Sequence, residues 1–195
     1  MAATMAAVAT CSVALIGPPN AGKSTLFNAL TGARSRVANW PGTTVELARG
    51  RAQGVDSRGR SVALDVVDLP GTHSLTPYGG DERVTAEALA AEPPDVAVVV
   101  IPAVALESGV FLALEVLEVH PHVLVALTKV DVADSRGDVV DPVALGRRLG
   151  VPVVLAGRGS NPTEITRGIC SAAQSSAQAA AVQTAAVRAP APTSA

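Results

Sequence analysis

The chain has 195 residues, 48% of them hydrophobic and 16% charged, and its 15 Lys and Arg stand against 17 Asp and Glu for a formal charge of −2. That apolar content excludes wholesale disorder and suits one domain with one core, while the balanced charge leaves no electrostatic footprint for nucleic acid or anionic lipid. Two cysteines, Cys11 and Cys170, are too few for a disulfide scaffold or a cysteine-rich zinc site and point to a reducing compartment, and 2% aromatic residues exclude a stacking platform for single strands.

Residues 1–10 read as an N-terminal extension. The uncharged opening lacks the basic region of a signal peptide, so Ser12 to Ile16 is predicted as a first core strand, followed by a helix from Lys23. A strand near Val45 to Gln53 mixes charged and small residues and is expected at a sheet edge. Val62 to Val67, Val96 to Ile101, Val123 to Leu127 and Val153 to Leu155 are short, Val-rich runs, the pattern of strands buried on both faces. Further helices are predicted near Asp81, at Glu107 with an apolar stripe at Val110, Phe111, Leu114 and Leu117, and at Pro142 with Asp141 as N-cap. Asp134 to Asp138 reads as a solvated loop. Strands alternating with helices predict an α/β fold, a mostly parallel twisted sheet with helices on both faces, over residues 11–170. Beyond Ile169 the composition turns to Ala, Ser, Gln, Pro and Thr, and residues 171–195 are expected to begin as an Ala-rich helix and fray into a disordered tail. The longest apolar run, Val96 to Leu106, is far short of the ~20 residues that cross a bilayer.

Gly17-Pro18-Pro19-Asn20-Ala21-Gly22-Lys23-Ser24 matches G-x-x-x-x-G-K-[ST] between a predicted strand and a predicted helix, and Thr25 extends the phosphate-binding set into the first helical turn. Backbone N–H groups and the helix dipole suit a polyphosphate there, Lys23 is expected to reach the β- and γ-phosphates, and Ser24 offers a hydroxyl to Mg²⁺. Of the basic residues only Lys23 and Lys129 are lysines. Asp68-Leu69-Pro70-Gly71 closes the Val62 to Val67 strand, where Asp68 can serve Mg²⁺ and the Gly71 N–H a γ-phosphate. Thr128-Lys129-Val130-Asp131 closes another strand. Its Asp can accept from the N1–H and amino group of guanine, a donor pair that adenine lacks, and the Lys129 stem can cover the base. Gly42, Thr43 and Thr44 lie between the first helix and the second strand, where a hydroxyl can complete the Mg²⁺ shell only while a γ-phosphate is bound. Trp40 beside them lies outside any apolar periodicity. His120 and His122 flank Pro121 at a turn, a weak candidate for two metal ligands, and of the histidines only His73 falls near the expected site.

From about Ser12 to Gly159 the chain resembles the cytosolic G domain of FeoB-type ferrous-iron transporters, within the group that includes the Era-like GTPases. The specific parts are Val37-Ala38-Asn39-Trp40-Pro41-Gly42-Thr43-Thr44-Val45-Glu46, Asp68-Leu69-Pro70-Gly71-Thr72-His73-Ser74-Leu75, and Tyr78 with Asp81-Glu82. The resemblance implies a P-loop GTPase fold that binds GTP and GDP with Mg²⁺ and hydrolyses GTP slowly. It implies a catalytic set of Lys23, Asn20, Thr44 and Gly71 and a metal set of Ser24, Thr44 and Asp68. Thr44 would be the switch threonine, and Asn20 would help coordinate K⁺ with backbone near Asn39 and Trp40. The family's guanine motif usually begins with Asn where this chain has Thr128, and its Ser-Ala base loop corresponds to Leu155-Ala156, leaving the Ala156 N–H for the guanine O6. Thr72 stands where Ras-like proteins carry a water-orienting Gln. The family's helical domain and permease are expected after the G domain, so the resemblance points to a cytoplasmic GTPase, with no membrane-spanning segment of its own, that serves a separate membrane permease at the inner face of the membrane. Two other readings stay open at this stage, a degenerate pseudo-GTPase scaffold and an Era-like GTPase for ribosome assembly.

Overall fold

The computed structural model describes residues 10–39, 46–56, 58–76, 80–157 and 159–187. In chain order they form β1 (Thr10–Ile16), α1 (Lys23–Thr31), β2 (Ser35–Asn39), β3 (Glu46–Val55), β4 (Ser61–Asp68), α2 (Gly80–Ala91), β5 (Val96–Pro102), a 3-10 turn (Ala103–Ala105), α3 (Leu106–Val119), β6 (Val123–Thr128), α4 (Val130–Ser135), α5 (Pro142–Leu149), β7 (Val153–Leu155) and α6 (Pro162–Val187). The strands make one seven-stranded sheet in the order β2-β3-β4-β1-β5-β6-β7. Only β2 with β3 and β3 with β4 pair antiparallel; β4-β1-β5-β6-β7 is parallel throughout.

The Val-rich runs of β5 and β6 form strands because each of their side chains finds cover. On β5, Val96, Val98 and Val100 join a core layer with Leu26 and Phe27 of α1 and Ile165 and Ile169 of α6. Ala97, Val99 and Ile101 face the other way, toward Ala88 and Leu89 of α2 and Leu112, Ala113 and Val116 of α3. The helix α3 lies close against β5 because Gly109 has no side chain: a Cβ there would stand 2.3 Å from Ile101 Cγ2. Gly109→Ala should therefore force α3 away from the sheet and cost ~1–3 kcal/mol of unfolding free energy in a urea titration.

The strand at residues 46–55 is not the sheet edge that its mixed composition suggests. It is flanked on both sides, and β2 takes the outer place. Ser35, Arg36 and Val37 are all exposed, so the first residues of that edge strand show no buried apolar alternation for the sequence to reveal. The Asp141 N-cap forms as expected, its Oδ1 accepting from the N–H groups of Val143 (2.8 Å) and Ala144 (3.1 Å) with Pro142 opening α5. Helix α6 runs past the boundary expected at residue 170, with backbone helical to Val187. Both thiols are buried. Burial first, and then Asp95 and Cys170, push the Cys11 thiol up to about 12, which leaves it protonated and inert at neutral pH.

Candidate functional site

The carboxyl ends of β1, β4 and β6 lie at one end of the sheet, where open α/β folds place their ligands. The loop from Gly17 to Gly22 leaves β1 under close constraint. A Cβ on Gly17 would stand 2.5 Å from Val100 O, so only glycine fits there. Asn20 (φ 60°) and Gly22 (φ 99°) take left-handed backbone, and the Ala21 N–H closes a turn onto Pro18 O at 3.1 Å. Gly22 occupies the N-cap of α1 with no side-chain hydrogen bond and no acidic residue in the first turn. No side chain caps the α1 N-terminus, so its dipole is open to an anion, whereas the α5 N-terminus spends two amides on Asp141. Lys23 is 8% exposed and lies back over the loop, its Nζ donating to Gly17 O (3.1 Å) and approaching Pro18 O (3.4 Å). Pro19, Asn20, Ser24 and Thr25 are exposed around the rim, and Pro18 and Ala21 are buried.

Asp68 ends β4 beside that loop. The Ser24 hydroxyl donates to its Oδ2 at 3.0 Å, and its Oδ1 is buried with no hydrogen-bond partner. A buried carboxylate oxygen without a donor is costly unless a cation reaches it, and a carboxylate beside a hydroxyl is the donor set a hard divalent ion takes. The residues fit Mg²⁺, with Ser24 and Asp68 as holders. Burial pushes the Asp68 carboxyl above its ordinary range, partly offset by the Ser24 hydroxyl and the Lys23 ammonium. A carboxyl whose pKa rises on folding supports the fold fully below its unfolded pKa and loses that support as pH rises through the folded value. In protein free of metal and nucleotide, Asp68→Asn should raise the melting temperature at neutral pH. The gain should vanish on acidification, as melting curves from pH 4 to 8 would record.

After Asp68 the chain folds back over the first loop. Leu69 N–H donates to Leu15 O (3.1 Å) and Thr72 N–H to Gly17 O (3.0 Å), and a Cβ on Gly71 would meet Pro19 N, Cα and Cγ at 3.0 Å each. Leu69, within the Asp68 to Gly71 motif, turns its side chain into the core at 2% exposure, and Pro70 is half-buried. Thr72 is wholly buried and its hydroxyl donates to Ser74 O, so no side chain stands there to orient water. The following residues are held from α3: Glu115 accepts from Ser74 Oγ (2.8 Å), Leu75 N–H (2.9 Å) and Thr76 Oγ1 (3.2 Å). Nothing in the sequence singles out Glu115, one acidic residue in an otherwise apolar turn. His73 is exposed and lines a cleft with Val104, Glu107 and Phe111.

The third motif meets the first through a side chain. Thr128, 4% exposed, donates its hydroxyl to Ala21 O at 2.6 Å, with Ile101 O 3.3 Å away. Its side chain is thus a strut between β6 and the phosphate loop, its hydroxyl hydrogen spent on Ala21 O. Lys129 takes left-handed backbone (φ 53°) and begins α4, Val130 packs on the core, and Asp131 in the first turn is exposed. The Ala156 N–H differs from expectation. It donates to Leu127 O at 2.8 Å, continuing the β6–β7 ladder, and is therefore not turned toward a guanine O6. Leu155 is 47% exposed.

The expected site residues Gly42, Thr43 and Thr44, with Trp40 and Tyr78, lie outside the described residues, as do the side chains of Asn39 and Asp81. His120 is buried at the start of the β6 turn with its Nε2 2.7 Å from Pro94 O, and its Nδ1 accepts from His122 N–H at 3.2 Å. Both ring nitrogens are engaged by backbone. Among the described residues there is no cluster of metal-ligating side chains.

Comparison with known proteins agrees with this arrangement. The family model described as ferrous iron transport protein B matches residues 11–167. The Fe(2+) transporter FeoB of Salmonella typhimurium is 41% identical over 147 residues, which is 73% of this chain and 18% of that protein; for the Escherichia coli K12 transporter the identity is 39% over the same length. The chain thus spans about a fifth of the length of these curated relatives. Among solved structures, the G domain of the T. maritima FeoB iron transporter is 34% identical with a TM-score of 0.66, covering 90% of this chain and 99% of that one. The cytosolic domain of the same transporter in a GDP form gives 34% and 0.69, covering 92% and 65%. The FeoB G domain of Methanococcus jannaschii gives 34% and 0.63, covering 90% and 97%. Sequence match, sheet order and the three motifs at one sheet end agree: the chain belongs to the ferrous iron transport protein B family, and residues 11–167 are its P-loop G domain.

Proposed function

We propose that this chain binds GTP and GDP with Mg²⁺, hydrolyses GTP slowly, and acts as a switch on a membrane partner that moves ferrous iron. The observation that supports the reading is the 2.6 Å bond from Thr128 Oγ1 to Ala21 O, which joins the motif from Thr128 to Asp131 to the phosphate loop. Among similar structures are the T. maritima cytosolic domain in GDP and GMPPNP forms.

A triphosphate entering the loop takes the Lys23 ammonium over from Gly17 O and Pro18 O, and the uncapped amides of α1 meet the phosphates. The Gly71 N–H approaches the γ-phosphate with no side chain in the way. When bound, Mg²⁺ neutralises phosphate charge, with Ser24 and Asp68 as its protein oxygens. Water attacks the γ-phosphorus in line and the bond to the β–γ bridging oxygen breaks, leaving GDP and phosphate. Lys23 and the loop amides stabilise the charge gathering on the leaving oxygen. With Thr72 buried, no side chain beside Gly71 orients the water, so turnover is slow. Asn20 offers an exposed side chain for K⁺. The remaining donors expected near Asn39 and Trp40 lie outside the described side chains, and no step is derived through that ion.

Among the described residues no helix is long and apolar enough to cross a membrane, and the curated relatives are Fe(2+) transporters several times longer. The partner we propose is a membrane permease that moves ferrous iron, with this G domain at the cytoplasmic face. Phosphate release from GTP with Mg²⁺, in KCl and in NaCl, tests the catalytic part. Slow release faster in K⁺ is expected. GTP bound without any release in either salt would instead make the chain a nucleotide-binding scaffold.

A further inference from the structure

We infer that Glu115 of α3 is the positioning residue that holds the Gly71 loop where it can meet a γ-phosphate, making α3 the element through which the nucleotide state is read. This rests on the GTP-switch reading. The stretch Thr72–Thr76 is fastened at both ends. At one end the Thr72 N–H is bonded to Gly17 O of the phosphate loop (3.0 Å). At the other, both carboxylate oxygens of Glu115 collect three donors, Ser74 Oγ, Leu75 N–H and Thr76 Oγ1. Between them the Thr72 hydroxyl, the Ser74 backbone and the Thr76 N–H on Ser74 Oγ (3.0 Å) close local turns. Gly71 immediately precedes the fastened stretch and lies so near Pro19 that an added Cβ would meet it at 3.0 Å.

The two anchors differ in stiffness. Helix α3 is locked to β5 through Gly109 on Ile101 and by buried Leu112, Ala113 and Val116, so Glu115 stands on a fixed platform. Beyond the buried Thr72, the loop it holds packs lightly: Leu75 is the one apolar side chain in the stretch and is partly buried, and His73 and Thr76 are exposed. Hydrogen bonds to a charged acceptor therefore set the loop's position, and these are stronger than neutral ones. A diphosphate does not reach Gly71, so its binding does not depend on where that loop sits. A triphosphate does reach it, and its affinity includes the cost of placing the loop.

The test compares GMPPNP and GDP, each with Mg²⁺, on wild-type chain, Glu115→Ala and Glu115→Gln by fluorescent-nucleotide titration. Glu115→Ala is expected to weaken GMPPNP ~10-fold, as loss of charge-assisted bonds would, while GDP stays within about twofold. Glu115→Gln should fall between, since its single carbonyl keeps the Ser74 and Thr76 hydroxyls while its amino group opposes the Leu75 N–H. Equal weakening of both nucleotides, or unchanged GMPPNP affinity in a folded variant, overturns the assignment. Should Glu115→Ala not fold, Ser74→Ala with Thr76→Val removes two donors from the loop side and is held to the same two outcomes. Wild-type chain that binds neither nucleotide overturns the switch reading itself, and this one with it.

Discussion

Lys23→Ala is expected to weaken GTP and GDP by at least about 100-fold, ~2.7 kcal/mol, and to remove the rise in melting temperature that nucleotide gives the wild-type chain. The magnitude follows from place. The ammonium is 8% exposed inside a loop whose other phosphate ligands are neutral amides, and truncating one partner of a desolvated charge pair costs ~2–5 kcal/mol. The loop holds no second lysine. The chain's second lysine, Lys129, stands at the start of α4 in the base motif. The variant also leaves Gly17 O and Pro18 O without the Nζ donor, so its melting temperature without nucleotide should be measured beside its affinity. A variant that folds and binds as the wild type does would remove the phosphate role from this loop.

Asp131→Asn is the second large effect. Asp131 is exposed in the first turn of α4, so exchange for its amide should leave the fold untouched and act on the base alone. The carboxylate offers two acceptor oxygens to the N1–H and amino group of guanine. Each charge-assisted bond contributes ~1.5–3 kcal/mol, and losing the pair should weaken GTP and GDP by ~100-fold or more. The same change gives xanthine nucleotides what they lack in the wild type, since the Asn amino group can donate to the C2 oxygen. Titrations of GDP and xanthosine diphosphate on both proteins should show the preference reversed. Parallel loss of both, or no change in either, would separate Asp131 from base recognition.

The sequence carried the parallel half of the sheet because strands covered on both faces must be apolar throughout, as β5 is from Val96 to Ile101. It hid β2 for the opposite reason, since Ser35 to Val37 bury nothing. It also hid α4, only six residues long and begun by a left-handed Lys129, so that Asp134 reads as loop although it is helical. In the site, the positions of residues proposed to act through their side chains were legible: Ser24 and Lys23 come together with Asp68, and Asp131 lies in the first turn of α4. Roles that depend on register were not. Whether the Ala156 N–H faces a base or a neighbouring strand is decided by the pairing of β6 with β7, and here it goes to Leu127 O. The Thr128 hydroxyl likewise acquires its strut role only once β6 is laid beside the phosphate loop. Glu115 lies far along the chain from the loop it holds, and only the packing of α3 on β5 brings the two together.

Isothermal titration of the wild-type chain with GDP, GMPPNP and ATP in Mg²⁺ is the most direct measurement of whether the loop from Gly17 to Ser24 and the motif from Thr128 to Asp131 form one guanine-nucleotide site. One molecule of GDP or GMPPNP bound per chain at micromolar affinity, with no measurable heat from ATP, is the predicted result. Equal affinity for ATP would contradict the base reading by Asp131, and the absence of binding by all three would contradict the nucleotide site itself.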